Sequence, residues 1–168
     1  MRSSRNPSDR RGGGAMRALV AAVVFAALGV PGVARSADAP EPAGVVRACV
    51  GEAAITRDGI VFAAAVGVKL RVGDVLATGP GGSLGVILRD NSTLSLGPES
   101  TLVIREFLFA PAEGKLGLLV RLSRGTLAWI SGVIARLAPG SVRFETPTAT
   151  IGVRGTHLAL KAGAPASP

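Results

Sequence analysis

Val142-Arg143-Phe144-Glu145-Thr146-Pro147-Thr148-Ala149-Thr150-Ile151-Gly152-Val153-Arg154-Gly155-Thr156-His157-Leu158-Ala159-Leu160 decides how this chain reads. The stretch is dense in β-branched residues, which suit a pleated surface better than a helix. Pro147, Gly152 and Gly155 cut it into short runs, predicting strands over Val142 to Thr146, Thr148 to Val153 and Thr156 to Leu160.

Upstream, short apolar runs separated by turn residues continue back to Gly44. Strands are expected over Val45 to Val50, Glu52 to Thr56, Ile60 to Phe62, Val66 to Arg71, Val75 to Thr78 and Leu84 to Arg89. Arg57-Asp58-Gly59 reads as a hairpin turn, because Asp-Gly tolerates the positive φ such turns need. Thr93-Leu94-Ser95-Leu96 alternates with period two, which turns Leu94 and Leu96 inward. Thr101 to Phe109 and Leu116 to Leu122 read as a longer pair. Ser123-Arg124-Gly125 reads as a turn into Thr126 to Ile130. Ser131 to Ala138 reads as a strand, although Val133, Ile134 and Leu137 also fit one helical turn. About a dozen short strands with regular turn signals predict an all-β single domain over 44–160: a sandwich, a roll or a short β-helix. Aromatics make up 4% of the chain, so its core must be built from Val, Leu and Ile.

Ahead of the domain, Ala18 to Val30 is an uncharged run preceded by arginines and followed by small residues. It is too short to span a bilayer comfortably and has the order of a secretory signal peptide. Residues 1–34 are therefore read as a leader cleaved after Ala34, with Met16 as an alternative start. Ala37-Asp38-Ala39 offers a second cut, which Pro40 would hinder. Arg10-Arg11 lacks the apolar follower of a twin-arginine signal. Residues 35–43 read as an extended linker and 161–168 as a disordered tail. Removal of the Arg-rich leader lowers the formal charge from +8 to about +4. No clustered basic patch with interleaved aromatics is visible, which argues against a nucleic-acid partner.

Chemistry-bearing residues are few. Cys49 is the single cysteine, so no intramolecular disulfide forms; it reads as a small apolar strand residue. A lipid-modified Cys49 is ruled out by the charged Val46-Arg47-Ala48 before it. The Gly79-Pro80-Gly81-Gly82-Ser83 run lacks the Lys and the helix of a phosphate loop, and reads as a turn. Asp74 reads as a turn-capping residue. His157 is the single histidine and sits on a strand face. No Gly-x-Ser-x-Gly elbow and no metal-ligand spacing occur. The expectation is a non-enzyme with no catalytic residues, no metal and no cofactor. Trp129 is expected as a core or edge anchor, with ligand stacking as the alternative. Arg154 stands between Val153 and Gly155, where two glycines would let another backbone approach. Its guanidinium is read either as an internal pair locking the last strands or as an exposed anchor for a partner.

Five segments in order resemble the FecR-type periplasmic domain: Gly51-Glu52-Ala53, Gly73 to Gly79, Leu88 to Ser100, Leu122 to Leu127 and, most specifically, Thr146 to Thr156. In the third, Asn91 replaces the usual glycine, and Asn tolerates the left-handed backbone next best. The resemblance implies a periplasmic, non-catalytic β domain that acts by protein–protein interaction in envelope sensing or signalling. It implies an envelope partner, either an outer-membrane receptor or a membrane regulator. Arg154, Gly155, Thr156 and Thr146 are the residues expected to form the partner surface or a structural lock. Only 17 residues precede the apolar run and the chain ends soon after Leu160. The expectation is thus a stand-alone exported domain without anti-sigma or receptor-docking segments, and without a membrane span once processed. A binder of cell-wall glycan or another anionic envelope polymer is the alternative, consistent with the mild positive charge.

Overall fold

The computed structural model describes residues 41–163. The expected leader with its cut after Ala34, the linker up to residue 40 and the tail from residue 164 lie outside the described residues. Among those described, turn residues at close intervals divide the chain into twelve strands. In chain order these are β1 (Gly44–Val50), β2 (Ala53–Arg57), β3 (Ile60–Ala63), β4 (Lys69–Leu70), β5 (Val75–Thr78) and β6 (Ser83–Leu88). They continue with β7 (Thr93–Leu96), β8 (Thr101–Ala110), β9 (Lys115–Ile130), β10 (Val142–Glu145), β11 (Thr150–Gly152) and β12 (His157–Ala162). A short helix, α1 (Val133–Leu137), separates β9 from β10, and a 3-10 turn at Pro111–Glu113 separates β8 from β9.

The strands form two curved sheets that share β9. Its first half pairs with β8 on one side and with β10 on the other. Its second half pairs with β7 and β12. One sheet thus runs β3-β2-β5-β8-β9-β10-β11, and the other runs β12-β9-β7-β6-β1-β4. This is the sandwich or roll expected from the sequence; the short β-helix alternative is not what forms. The fold is all-β and a single domain.

Strict alternation puts Leu76, Leu84, Val86, Leu88, Leu94 and Leu96 inside, each 2% exposed or less. Removing each such side chain from water stabilises the fold by about 1.5–3 kcal/mol. Trp129 of one sheet meets Phe144 of the other edge-on, with ring centroids 5.3 Å apart. At 1% exposure Trp129 is a core anchor, out of reach of any stacked ligand.

Two expectations fail here, for one reason: distant residues supply what the local sequence lacks. Ser123-Arg124-Gly125 does not end a strand; β9 passes through it. Gly125 has φ +88, and a side chain there would overlap Ser100. Ser100 Oγ accepts the Thr126 N–H at 2.9 Å, and its own N–H donates to Thr78 Oγ1 at 2.9 Å. Thr78 donates in turn to the Gly97 carbonyl at 2.7 Å. The ladder to β8 slips by one residue at this point, so the strand bends from one sheet into the other.

Ser131 to Ala138 is not a strand either. β10 runs parallel to the first half of β9, and a parallel neighbour requires a crossover, which α1 provides. The helix has no cap from its own Gly132. Ser92 Oγ accepts the Gly132 N–H at 3.0 Å, and the Asp90 carbonyl accepts the Val133 N–H at 2.7 Å. A side chain at Gly132 would overlap this Asp90–Ser92 turn. Asn91 between them has φ 64, the left-handed conformation expected of it. A smaller difference lies at the end of the domain, where β12 runs through Ala162 and claims two residues expected in the tail.

Candidate functional site

Most of the quoted segments are consumed by the fold. Asp74 is 1% exposed and accepts the Arg71 N–H at 2.8 Å, the turn-capping role expected of it. It also receives a fork from Arg57, with Nε at 2.8 Å and Nη2 at 2.7 Å, which sequence alone did not suggest. The hydrogen bond to Asp74 holds the Arg57 guanidinium above its ordinary pKa, against the opposing effect of burial. Arg57 also lies over the Phe62 ring, 5.5 Å from its centroid. Asp90 is fully buried and its carboxylate accepts from the Ser92 N–H at 3.0 Å and the Ser92 hydroxyl at 2.8 Å. These groups spend their hydrogen-bonding capacity on the protein itself.

The segment from Thr146 to His157 behaves differently. Thr146 closes a tight turn: its N–H donates to the Ala149 carbonyl at 2.8 Å, and its Oγ1 accepts the Ala149 N–H at 3.1 Å. β11 then returns along β10, with Arg143 opposite Gly152 and Glu145 opposite Thr150. Val153 turns inward to 7% exposure and pins the segment. Arg154, Gly155 and Thr156 are exposed. The Thr156 carbonyl accepts the Ser131 N–H at 2.9 Å, after which β12 begins.

Arg154, Gly155 and Thr156 therefore stand together between β11 and β12. Thr146 stands at the far end of β11 and works as a turn residue. Among the described residues no ion pair and no side-chain hydrogen bond ends on Arg154. Thr156 Oγ1 lies 3.1 Å from His157 Nδ1, and among the described residues no third side chain orients that imidazole. No group of three or more His, Cys, Asp or Glu side chains comes together among them.

Gly152 and Gly155 differ from the glycines of the packed motifs. A side chain at either would meet nothing within 4 Å, and neither has a φ that requires glycine. Arg143, exposed beside Gly152, was not singled out from sequence. Only the register of β10 on β11 brings it there. Charge is distributed unevenly as well. From Lys115 onward Glu145 is the only acid, whereas Arg121, Arg124, Arg136, Arg143, Arg154 and Lys161 all follow Lys115. The basic residues are spread along the chain as expected, but the acids are not.

A family model described as FecR protein matches residues 74–167, more than half of the chain. The match starts at the buried Asp74 and takes in the whole exposed segment. Comparison with curated proteins gives no match, and neither does comparison with solved structures.

Proposed function

The chain belongs to the FecR protein family, and on that premise we propose that it is an exported, non-catalytic β domain that binds a protein partner in the cell envelope. The family implies a role in signalling or sensing, and its domains are typically periplasmic. Among the described residues no helix is long and apolar enough to cross a membrane. The partner class is an outer-membrane receptor or a membrane regulator, and the surface that meets it runs from Gly152 to Thr156.

One observation carries this reading: two glycines and an arginine lie exposed in a family segment, and among the described residues no side chain packs over either glycine and none pairs with the arginine. Glycine costs folding entropy, about 0.5–1 kcal/mol relative to alanine in regular structure. At Gly152 and Gly155 the fold gains no close packing in return. An incoming backbone does gain, since it can approach to hydrogen-bonding distance where side chains are missing. Arg154 beside it offers a planar fork of donors for a carboxylate or for carbonyl oxygens.

A second reading, binding of an anionic cell-wall polymer, is favoured by the scarcity of acids after Lys115. A photo-crosslinking residue in place of Thr156, with a control in place of the exposed Leu137, separates the two. A discrete protein adduct from position 156 alone, lost on Arg154→Glu, supports a protein partner. Adducts to peptidoglycan fragments support the polymer. Equal adducts from both positions, or none from either, contradict both.

A further inference from the structure

A second surface lies at the opposite end of the same sheet. From Gly59 to Val68 the chain carries no charged or polar side chain. β3 falls within this run, ends its sheet and, among the described residues, pairs with β2 alone. Ile60 is 69% exposed, Val61 66% and Val66 65%. The backbone there is also unpaired in a defined pattern. Asp58 (φ 51) and Gly59 (φ 80) make a two-residue turn, so Arg57 and Ile60 form the close hydrogen-bonded pair. The Ala64 N–H donates to the Ala53 carbonyl at 2.9 Å, in phase with that pair. By alternation, the N–H and C=O groups of Val61 and Ala63 point away from β2, toward the open edge.

The other sheet edges carry the usual defences against strand pairing. β4 has two residues, one of them Lys69. β11 has three and ends in glycine. β12 carries His157 and Lys161. β3 has no charge, no proline and no bulge.

We propose that β3 pairs antiparallel with β3 of a second copy of this chain, joining two domains into one continuous sheet about a two-fold axis. Val61 of each copy hydrogen-bonds with Ala63 of the other, which places the two Phe62 residues opposite one another. Charge selects this occupant. Two copies of equal positive charge repel across most of their surfaces, but this seam holds no unpaired charge: Arg57 of β2, which lies over Phe62, is held by the Asp74 carboxylate. A charged partner would gain nothing from it, whereas a second copy presents the same edge with the same spacing. The seam is short and buries less than a permanent interface needs, so the dimer is reversible. β3 and β11 end opposite sides of one sheet, so pairing leaves the Gly152 to Thr156 surface free on both copies. This inference does not depend on what that surface binds.

Sedimentation of the chain purified from cells expressing its full length provides the test. A dimer that grows with concentration is expected. Val61→Lys, which brings like charges together at the seam, should raise its dissociation constant at least 10-fold, while Leu137→Lys leaves it unchanged. A monomer at every concentration up to the millimolar range, or equal effects of the two variants, overturns the proposal. On the unaltered chain, the Val61 and Ala63 amides should exchange more slowly with solvent as concentration rises. Exchange independent of concentration also overturns it.

Discussion

Gly125 and Gly155 both lie within the stretch that matches the family, yet they answer to different demands. Around Gly125 the chain is bent, the φ is left-handed, and Ser100, Thr78 and Thr126 close over the backbone. Around Gly155 there is open solvent and an ordinary φ. The first glycine is explained wholly from inside the domain. Among the described residues nothing asks for the second. A family pattern therefore mixes two kinds of residue, those that build the scaffold and those that face outward from it, and only contact geometry separates them.

The difference can be broken by substitution. Gly125→Ala should have the largest effect, because the new side chain meets Ser100 and the backbone cannot relax to a negative φ without losing the bend. A loss of at least about 3 kcal/mol in urea unfolding is expected. A loss under 1 kcal/mol would mean that the corner yields. Asp90→Ala should follow, at about 2–3 kcal/mol, since it strands the buried Ser92 N–H and hydroxyl and loosens the cap of α1. Loss of helical circular dichroism is too small to read for five residues, so slowed or quickened exchange of the Val133 and Ile134 amides is the better measure. Faster exchange is expected.

Arg57→Ala comes next, at about 1–3 kcal/mol, discounted because the guanidinium is partly exposed while Asp74 is not. Its pH dependence has a definite sign. Hydrogen bonding to Asp74 raises the Arg57 pKa on folding. The stabilisation is complete below the unfolded guanidinium value and disappears only as strong alkali passes the folded one. The stability gap between wild type and Arg57→Ala should therefore stay level from neutral to moderately alkaline pH. Smallest of all, Arg154→Ala should change stability by no more than about 0.5 kcal/mol, as at other exposed sites. A larger loss would show that Arg154 locks the last strands.

Much of the scaffold was legible because turn chemistry is local. Asp58-Gly59, Gly79 to Ser83 and Gly97-Pro98 announce their own turns, and the strands between them, β5 and β7 above all, lie where expected. The continuity of β9 was not legible. Ser123-Arg124-Gly125 has the composition of a turn, and the residue that makes it a bend is Ser100, far away in the chain. α1 stayed hidden for the same reason, its N–H groups being met by Asp90 and Ser92 about forty positions earlier. The Arg57–Asp74 pair spans 17 positions and has no local signature. At the candidate site, Arg154, Gly155 and Thr156 were visible in sequence and do lie together on the surface. Arg143 was not, because its place beside Gly152 depends on the register of a hairpin.

The central claim is that the Gly152 to Thr156 surface is dispensable for folding and required for binding. A Gly152→Val, Gly155→Val double variant tests both halves at once, since valine fits the backbone there and blocks a close approach from outside. Its urea midpoint should equal or exceed that of the wild type, because the two glycines cost folding entropy without packing in return, and its photo-adduct from position 156 should disappear. A lowered midpoint would assign the two glycines to the scaffold after all, and an undiminished adduct at an unchanged or raised midpoint would remove binding from this surface.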